Sequence, residues 1–223
     1  MTTLSRDEIT KGLLAEMEHF EQLVRSIGDD EWAKPSRCVG WTVAGVAGHA
    51  IGSMADVVNG NLDGLGTPEV TQREVDERAG RSPAELADEA AAVRTQAEAM
   101  LPMFDDAAWE AKSPGTYEGT LGDGVEALWF DFYMHGDDIR AALGRPSEPG
   151  DGLRAAASHV ATELTKRSWG PATIALDGLP EFAVSGGGGQ RIEGDPLVFV
   201  LAATGRSDPT TVGLDETVNL YAA

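Results

Sequence analysis

A mainly α-helical fold, with a four-helix bundle followed by a small α+β domain, is what this sequence predicts. Three observations carry that expectation. Apolar residues recur every three or four positions in four long segments, capping signals punctuate those segments, and the pattern turns to short strands beyond a turn-rich run at residues 144–152. The chain has 223 residues, which suits a bundle domain at residues 1–146 and a smaller companion at residues 153–223.

The first helix spans residues 6–27, where Ile9, Leu13, Met17, Phe20, Val24 and Ile27 form one apolar face before Gly28 ends it. A loop containing Pro35, Gly40 and two tryptophans leads to a second helix, capped near Thr42 and running to about Asn59. Residues 60–68 hold glycine and proline and read as a connection. Ser82-Pro83-Ala84-Glu85 then combines an N-cap, a proline at the first helical position and a capping-box acid, which starts a third helix ending near Met100. The fourth helix covers about residues 120–143, with Val125, Leu128, Trp129, Phe132 and Ile139 on one side. Beyond the 144–152 linker, residues 153–168 read as helix, 172–176 and 181–185 as strands, and 195–203 as a last helix. The tetraglycine at Gly186–Gly189 stands where a hairpin turn is expected. It lacks the Gly-x-Gly-x-x-Gly order and the lysine of a phosphate-binding loop, so no nucleotide site is read there.

Acidic residues outnumber basic ones 37 to 17, a formal charge of −20 that would repel phosphate backbones and anionic lipid surfaces; nucleic-acid and membrane partners are not expected. Cys38 is the sole cysteine, so no internal disulfide can form. The N-terminal residues lack the basic start and apolar run of an export signal, and no apolar stretch reaches the length of a membrane span; the expected location is the cytoplasm.

Asp131 and His135 are four residues apart on the fourth helix, so their side chains lie one above the other, about 40° apart around the axis. His49 flanks the apolar stripe of the second helix in the same manner. Two imidazole nitrogens and one carboxylate suit zinc and leave a fourth coordination position open, as catalytic sites do. From spacing alone the same residues read sooner as hydrogen-bonded core or boundary residues, a common fate of an aspartate and a histidine four apart in a helix. Ser53 and Asp56, one and two turns beyond His49, read as solvated positions or as pocket lining. His19 and His159 read as structural or exposed, and nothing local marks Cys38 as an activated nucleophile. Arg206, after Gly205 at a helix end, is either a surface charge or a guanidinium able to grip a carboxylate in bidentate fashion.

Two stretches carry a family resemblance. They are Pro35-Ser-Arg-Cys-Val-Gly-Trp41-Thr-Val-Ala-Gly-Val-Ala-Gly-His49 and Asp131-Phe-Tyr-Met-His135-Gly136-Asp137-Asp138-Ile139-Arg140. Together they resemble the metal-binding, DinB-like helical bundle of the mycothiol-dependent maleylpyruvate isomerase family. In that family one histidine follows a Gly-Trp-Thr-Val segment and another precedes Gly-x-Asp-Ile-Arg. The run from Asp195 to Gly205-Arg206 is similar to the helix ending in Gly-Arg of the family's C-terminal domain. The resemblance implies a divalent metal, zinc, held by His49, Asp131 and His135, with mycothiol as thiol cosubstrate and Arg206 at the substrate. One departure stands out: the family has glutamate four residues before the second histidine, whereas Asp131 is one methylene shorter and must bring its helix closer or bind through water.

The expected activity is thus thiol-dependent isomerisation or S-transfer on a small electrophile, between which the sequence does not choose. Hydrolysis by metal-activated water and a non-catalytic binding module are the alternatives.

Overall fold

The chain is described over residues 4–221 of a computed structural model. Its helices are α1 (Arg6–Arg25), α2 (Asp29–Trp32), α3 (Val43–Asn59), α4 (Pro68–Asp76), α5 (Pro83–Met100), α6 (Asp106–Glu110), α7 (Leu121–Leu143), α8 (Asp151–Lys166) and α9 (Pro196–Ala203); its strands are β1 (Ala172–Leu176), β2 (Phe182–Val184) and β3 (Gln190–Gly194). The contacts divide the described residues into two compact units, residues 5–148 and residues 149–221 together with Leu4. Among the described residues no helix is long and apolar enough to cross a membrane.

In the first unit α1, α5, α3 and α7 close a ring, each packing on the next and α7 returning to α1. Their starts are set by side chains that satisfy otherwise orphaned amides: Ser5 with Glu8, Ser82 with Glu85 and Thr120 with Asp123 form capping boxes, and Thr42 accepts from the Gly45 N–H. The ends of α3 and α7 come at Gly60 and Gly144, both left-handed, where a side chain would be strained. Ile9, Leu13, Met17, Phe20 and Val24 of α1 are all buried, as the periodicity predicts. Phe20 meets Phe132 of α7 edge to face at 5.2 Å, and each is almost fully enclosed, so truncating either to alanine should cost roughly 3–5 kcal/mol.

Helix α4 is absent from the periodic pattern. Its only aliphatic side chains beyond Pro68 are Val70 and Val75, and its one buried residue is Glu74. Glycines bring it against α3: Gly45, Gly48 and Gly52 share a face, and an added methyl would lie 3.6 Å from Val75 at Gly45, 3.3 Å from Arg78 at Gly48 and 2.7 Å from the Glu74 Cβ at Gly52. The last distance is shorter than atoms tolerate, so α4 occupies the volume that side chains on α3 would need.

In the second unit β1 lies between the other strands, antiparallel to β2 and parallel to β3, with α8 packed on β2 and on α9. This corrects the expected hairpin at the tetraglycine. Residues 177–181 make the hairpin, whereas Gly186–Gly189 carry the chain from one edge of the sheet to the other. All four adopt positive φ, between 60° and 93°, which only glycine does without strain. β3 escapes the pattern because Ile192 is its single apolar side chain.

Candidate metal centre

Side chains from α3 and α7 converge. His49, Asp131 and His135 each offer a donor atom, and the three atoms lie within 4.8 Å of one another. Asp131 stands between the imidazoles, with Oδ2 3.7 Å from Nε2 of His49 and Oδ1 3.3 Å from Nε2 of His135. The rings meet edge to face at 4.9 Å. The shorter aspartate side chain therefore reaches toward both histidines. Its side chain is 27% exposed against 11% and 10% for theirs, so the open edge of the cluster is at the carboxylate.

Both Nδ1 atoms are occupied from behind. Glu74 Oε2 lies 2.7 Å from Nδ1 of His49, and Asp138 Oδ2 lies 3.0 Å from Nδ1 of His135. An Nδ1–H donated to a buried carboxylate fixes the tautomer and leaves Nε2 as the free donor, the arrangement found where histidine ligates metal. Asp138 is itself secured: its Oδ1 accepts from Nε of Arg37 at 2.6 Å, and the Arg37 guanidinium also pairs with Asp137. Glu74 is less committed, with its Oε1 buried and lacking a hydrogen-bond partner. Trp41 covers His49 from the preceding loop, ring centroids 5.1 Å apart, and its indole N–H donates to Gln72.

Electrostatics fit a cation at the centre. Burial opposes charge on His135, but Asp131 and Asp138 outweigh it and hold its pKa well above 6.5. Burial likewise opposes charge on His49, whose pKa is still raised by Asp131 and Glu74. For Asp131, burial would favour the neutral acid, yet the two imidazoles hold it far below the ordinary carboxylate range. Without metal, a carboxylate thus sits between two histidines that readily hold protons, and a divalent ion can replace that positive charge. The donor set of two nitrogens and one oxygen, with its carboxylate backing, fits zinc or a similar ion.

Arg206 belongs to the other unit, half-buried just after α9. Its amide bonds the Leu201 carbonyl at 2.9 Å, and that of Gly205 bonds Ala202, which together terminate the helix. Ser53 and Asp56 are buried rather than solvated, with Asp56 paired to Arg73 of α4. His19 is exposed, and His159 is buried against Tyr221, 2.6 Å from its hydroxyl.

Sequence reasoning gave no role to Glu74, Arg37 or Asp138. Asp138 follows His135 by three positions and so shares its face, a signal present in the sequence. Glu74 had one indirect signal: Thr67-Pro68 is an N-cap followed by proline at the first helical position, and it does start α4.

A family model described as the mycothiol maleylpyruvate isomerase N-terminal domain matches residues 13–140. Two crystal structures of mycothiol-dependent maleylpyruvate isomerase, one of them of a histidine-to-alanine mutant, share the fold. Each is 17% identical, with 97% of this chain and 98% of the other covered and a TM-score of 0.65. No curated protein sequence matches significantly.

Proposed function

Because the chain belongs to the mycothiol maleylpyruvate isomerase N-terminal domain family, we propose that it is a metal-dependent, mycothiol-using isomerase or S-transferase acting on a small electrophile. The observation that carries this reading is the carboxylate-backed His49–Asp131–His135 cluster with its exposed edge at Asp131. Residues 1–146 would form the metal-binding domain and residues 153–223 its companion.

A divalent metal held by His49, Asp131 and His135 would supply an electrophilic centre that favours the thiolate form of an incoming thiol near neutral pH. The chain's own residues do the rest. Glu74 and Asp138 hold the Nδ1 protons and keep both Nε2 atoms aimed inward. Asp131 supplies the negative charge, and Trp41 shields His49 on one side. Arg206 is assigned to a carboxylate of thiol or substrate. In an isomerisation the thiol adds to the activated double bond, the former double bond rotates, and the thiol leaves unchanged; in a transfer it stays attached.

The test combines elemental analysis with turnover. Protein purified without chelator should carry close to one divalent ion, and mycothiol with maleylpyruvate should give turnover that is lost on metal removal and restored by zinc. Arg206→Ala should raise the KM for thiol or substrate while metal content stays the same. Metal-dependent activity indifferent to every thiol would replace this reading with hydrolysis, and absence of both metal and turnover would overturn it.

A further inference from the structure

His135 has a second neighbourhood. Its Nε2 faces Asp131, whereas Nδ1 faces a separate donor group made with Cys38 and Asp138. Cys38 Sγ lies 3.2 Å from Asp138 Oδ2 and 3.9 Å from Nδ1 of His135, and Nδ1 lies 3.0 Å from that oxygen. Metal bonds of about 2.3 Å to sulfur and about 2.0–2.2 Å to nitrogen and oxygen, at tetrahedral angles, put donor pairs roughly 3.3–3.6 Å apart. The three edges bracket that span, so one ion fits between the donors after shifts of a few tenths of an ångström.

The donors are also held in place from outside the triangle. Arg37 occupies Oδ1 of Asp138 and leaves Oδ2 to face Cys38 and His135. The Ser36 hydroxyl accepts from the Cys38 amide at 3.1 Å and donates to the Trp41 carbonyl at 2.9 Å, pinning the loop that carries the thiol. Cys38 is half-exposed, which gives an ion a way in, while His135 and Asp138 are buried.

We infer that Cys38, Asp138 and Nδ1 of His135 form a second cation site, selective for soft, thiophilic divalent metals and sharing His135 with the first. The thiolate makes this donor set softer than His49, Asp131 and Nε2 of His135. Binding displaces two protons, from the Cys38 thiol and from Nδ1 of His135, and changes no oxidation state. It also removes the hydrogen bond to Asp138 that orients His135. An imidazole that binds a metal through Nδ1 can ligate through Nε2 only by giving up its last ring proton. The two sites therefore oppose each other.

Cadmium titration of the metal-free protein tests this, because Cys38 is the sole thiol and a thiolate-to-cadmium charge-transfer band reports on it alone. The band should grow to one equivalent in the wild type and in His49→Ala, and be absent in Cys38→Ser, which should still bind zinc. Saturating zinc should raise the cadmium concentration needed by about tenfold, in keeping with ordinary coupling between sites. No band in the wild type overturns the site, as does a band lost in His49→Ala, which would put the thiolate at the first site. An unchanged cadmium requirement in saturating zinc overturns the sharing of His135. Zinc binding indifferent to His49 and Asp131 would fail the first site and leave the cadmium band standing, so the two readings fail separately.

Discussion

The two histidines of the centre are held in different ways. On α7, Asp131, His135 and Asp138 follow one another at spacings of four and three, so two successive helix turns align ligand, ligand and supporting carboxylate. On the other side His49 belongs to α3 and its carboxylate, Glu74, to α4, 25 residues further along. The first arm follows from helical geometry alone, whereas the second exists only when two helices pack. Local structure thus secures half of the centre and tertiary structure the other half.

The strongest way to break this comparison is to remove a ligand. His135→Ala, His49→Ala and Asp131→Ala should each lose most of the metal on elemental analysis, His135→Ala with its neighbours on α7 otherwise in place. Stoichiometric metal in all three would end the assignment.

Supporting carboxylates come next. Glu74→Gln and Asp138→Asn should each weaken zinc binding, measured against a competing chelator, by about 10–100-fold. They should differ in the melting temperature of the metal-free protein. Asp138→Asn also takes a charge away from Arg37, whose other partner is Asp137, so it should be the more destabilising. Glu74 already keeps one oxygen buried without a hydrogen bond, so its loss costs less. Equal melting shifts would show that the arms are supported alike.

Titration sharpens the difference further. A histidine whose pKa is raised by folding stabilises the fold fully below its ordinary value of 6.5, and that contribution is lost as pH climbs through the raised value. Asp131 behaves oppositely, stabilising above 3.8 and losing its effect only far into acid. Metal-free protein should therefore melt at lower temperature as pH rises above 6.5, while zinc, which competes with those protons, should stabilise more. His135→Ala and His49→Ala should each flatten the metal-free curve, since both histidines have pKa values raised by neighbouring carboxylates. Parallel curves with and without zinc would contradict the proton-for-metal exchange.

The smallest effect expected is from Asp131→Glu, which restores the length seen in the family and should keep one metal, with affinity within about tenfold of wild type. Loss of metal would mean that the closeness of α3 and α7 is matched to aspartate.

These asymmetries also explain what could be read from the sequence. The four long helices of the bundle are legible because each has an apolar stripe and a cap, and their boundaries fall within a few residues of those signals. Asp131 and His135 are legible as a pair because both lie on one helix. The approach of His49 to them is visible only through the resemblance, since periodicity says which face is apolar and not which helices meet. Glu74 is hidden more deeply: the inward residue of α4 is charged, so the hydrophobic pattern that marks other helices is missing where this one matters most. Arg37 lies in the loop before α3, within the segment that carries the resemblance, but its partners are 100 and 101 residues away.

The glycine face of α3 makes the interval between two backbones an adjustable dimension of the centre. Gly52 touches no donor, yet a methyl there must push against Glu74 and lengthen its reach to His49. The contact at Gly48 is looser, 3.3 Å to Arg78, whereas a methyl at Gly45 meets Trp41 first, at 3.2 Å, so alanine placed at 52 and then at 48 amounts to a pair of shims of decreasing thickness. Metal affinity should fall in the same order, more at Gly52 than at Gly48, without alteration of any coordinating atom. The metal grip of this protein can be tuned from the seam between two helices.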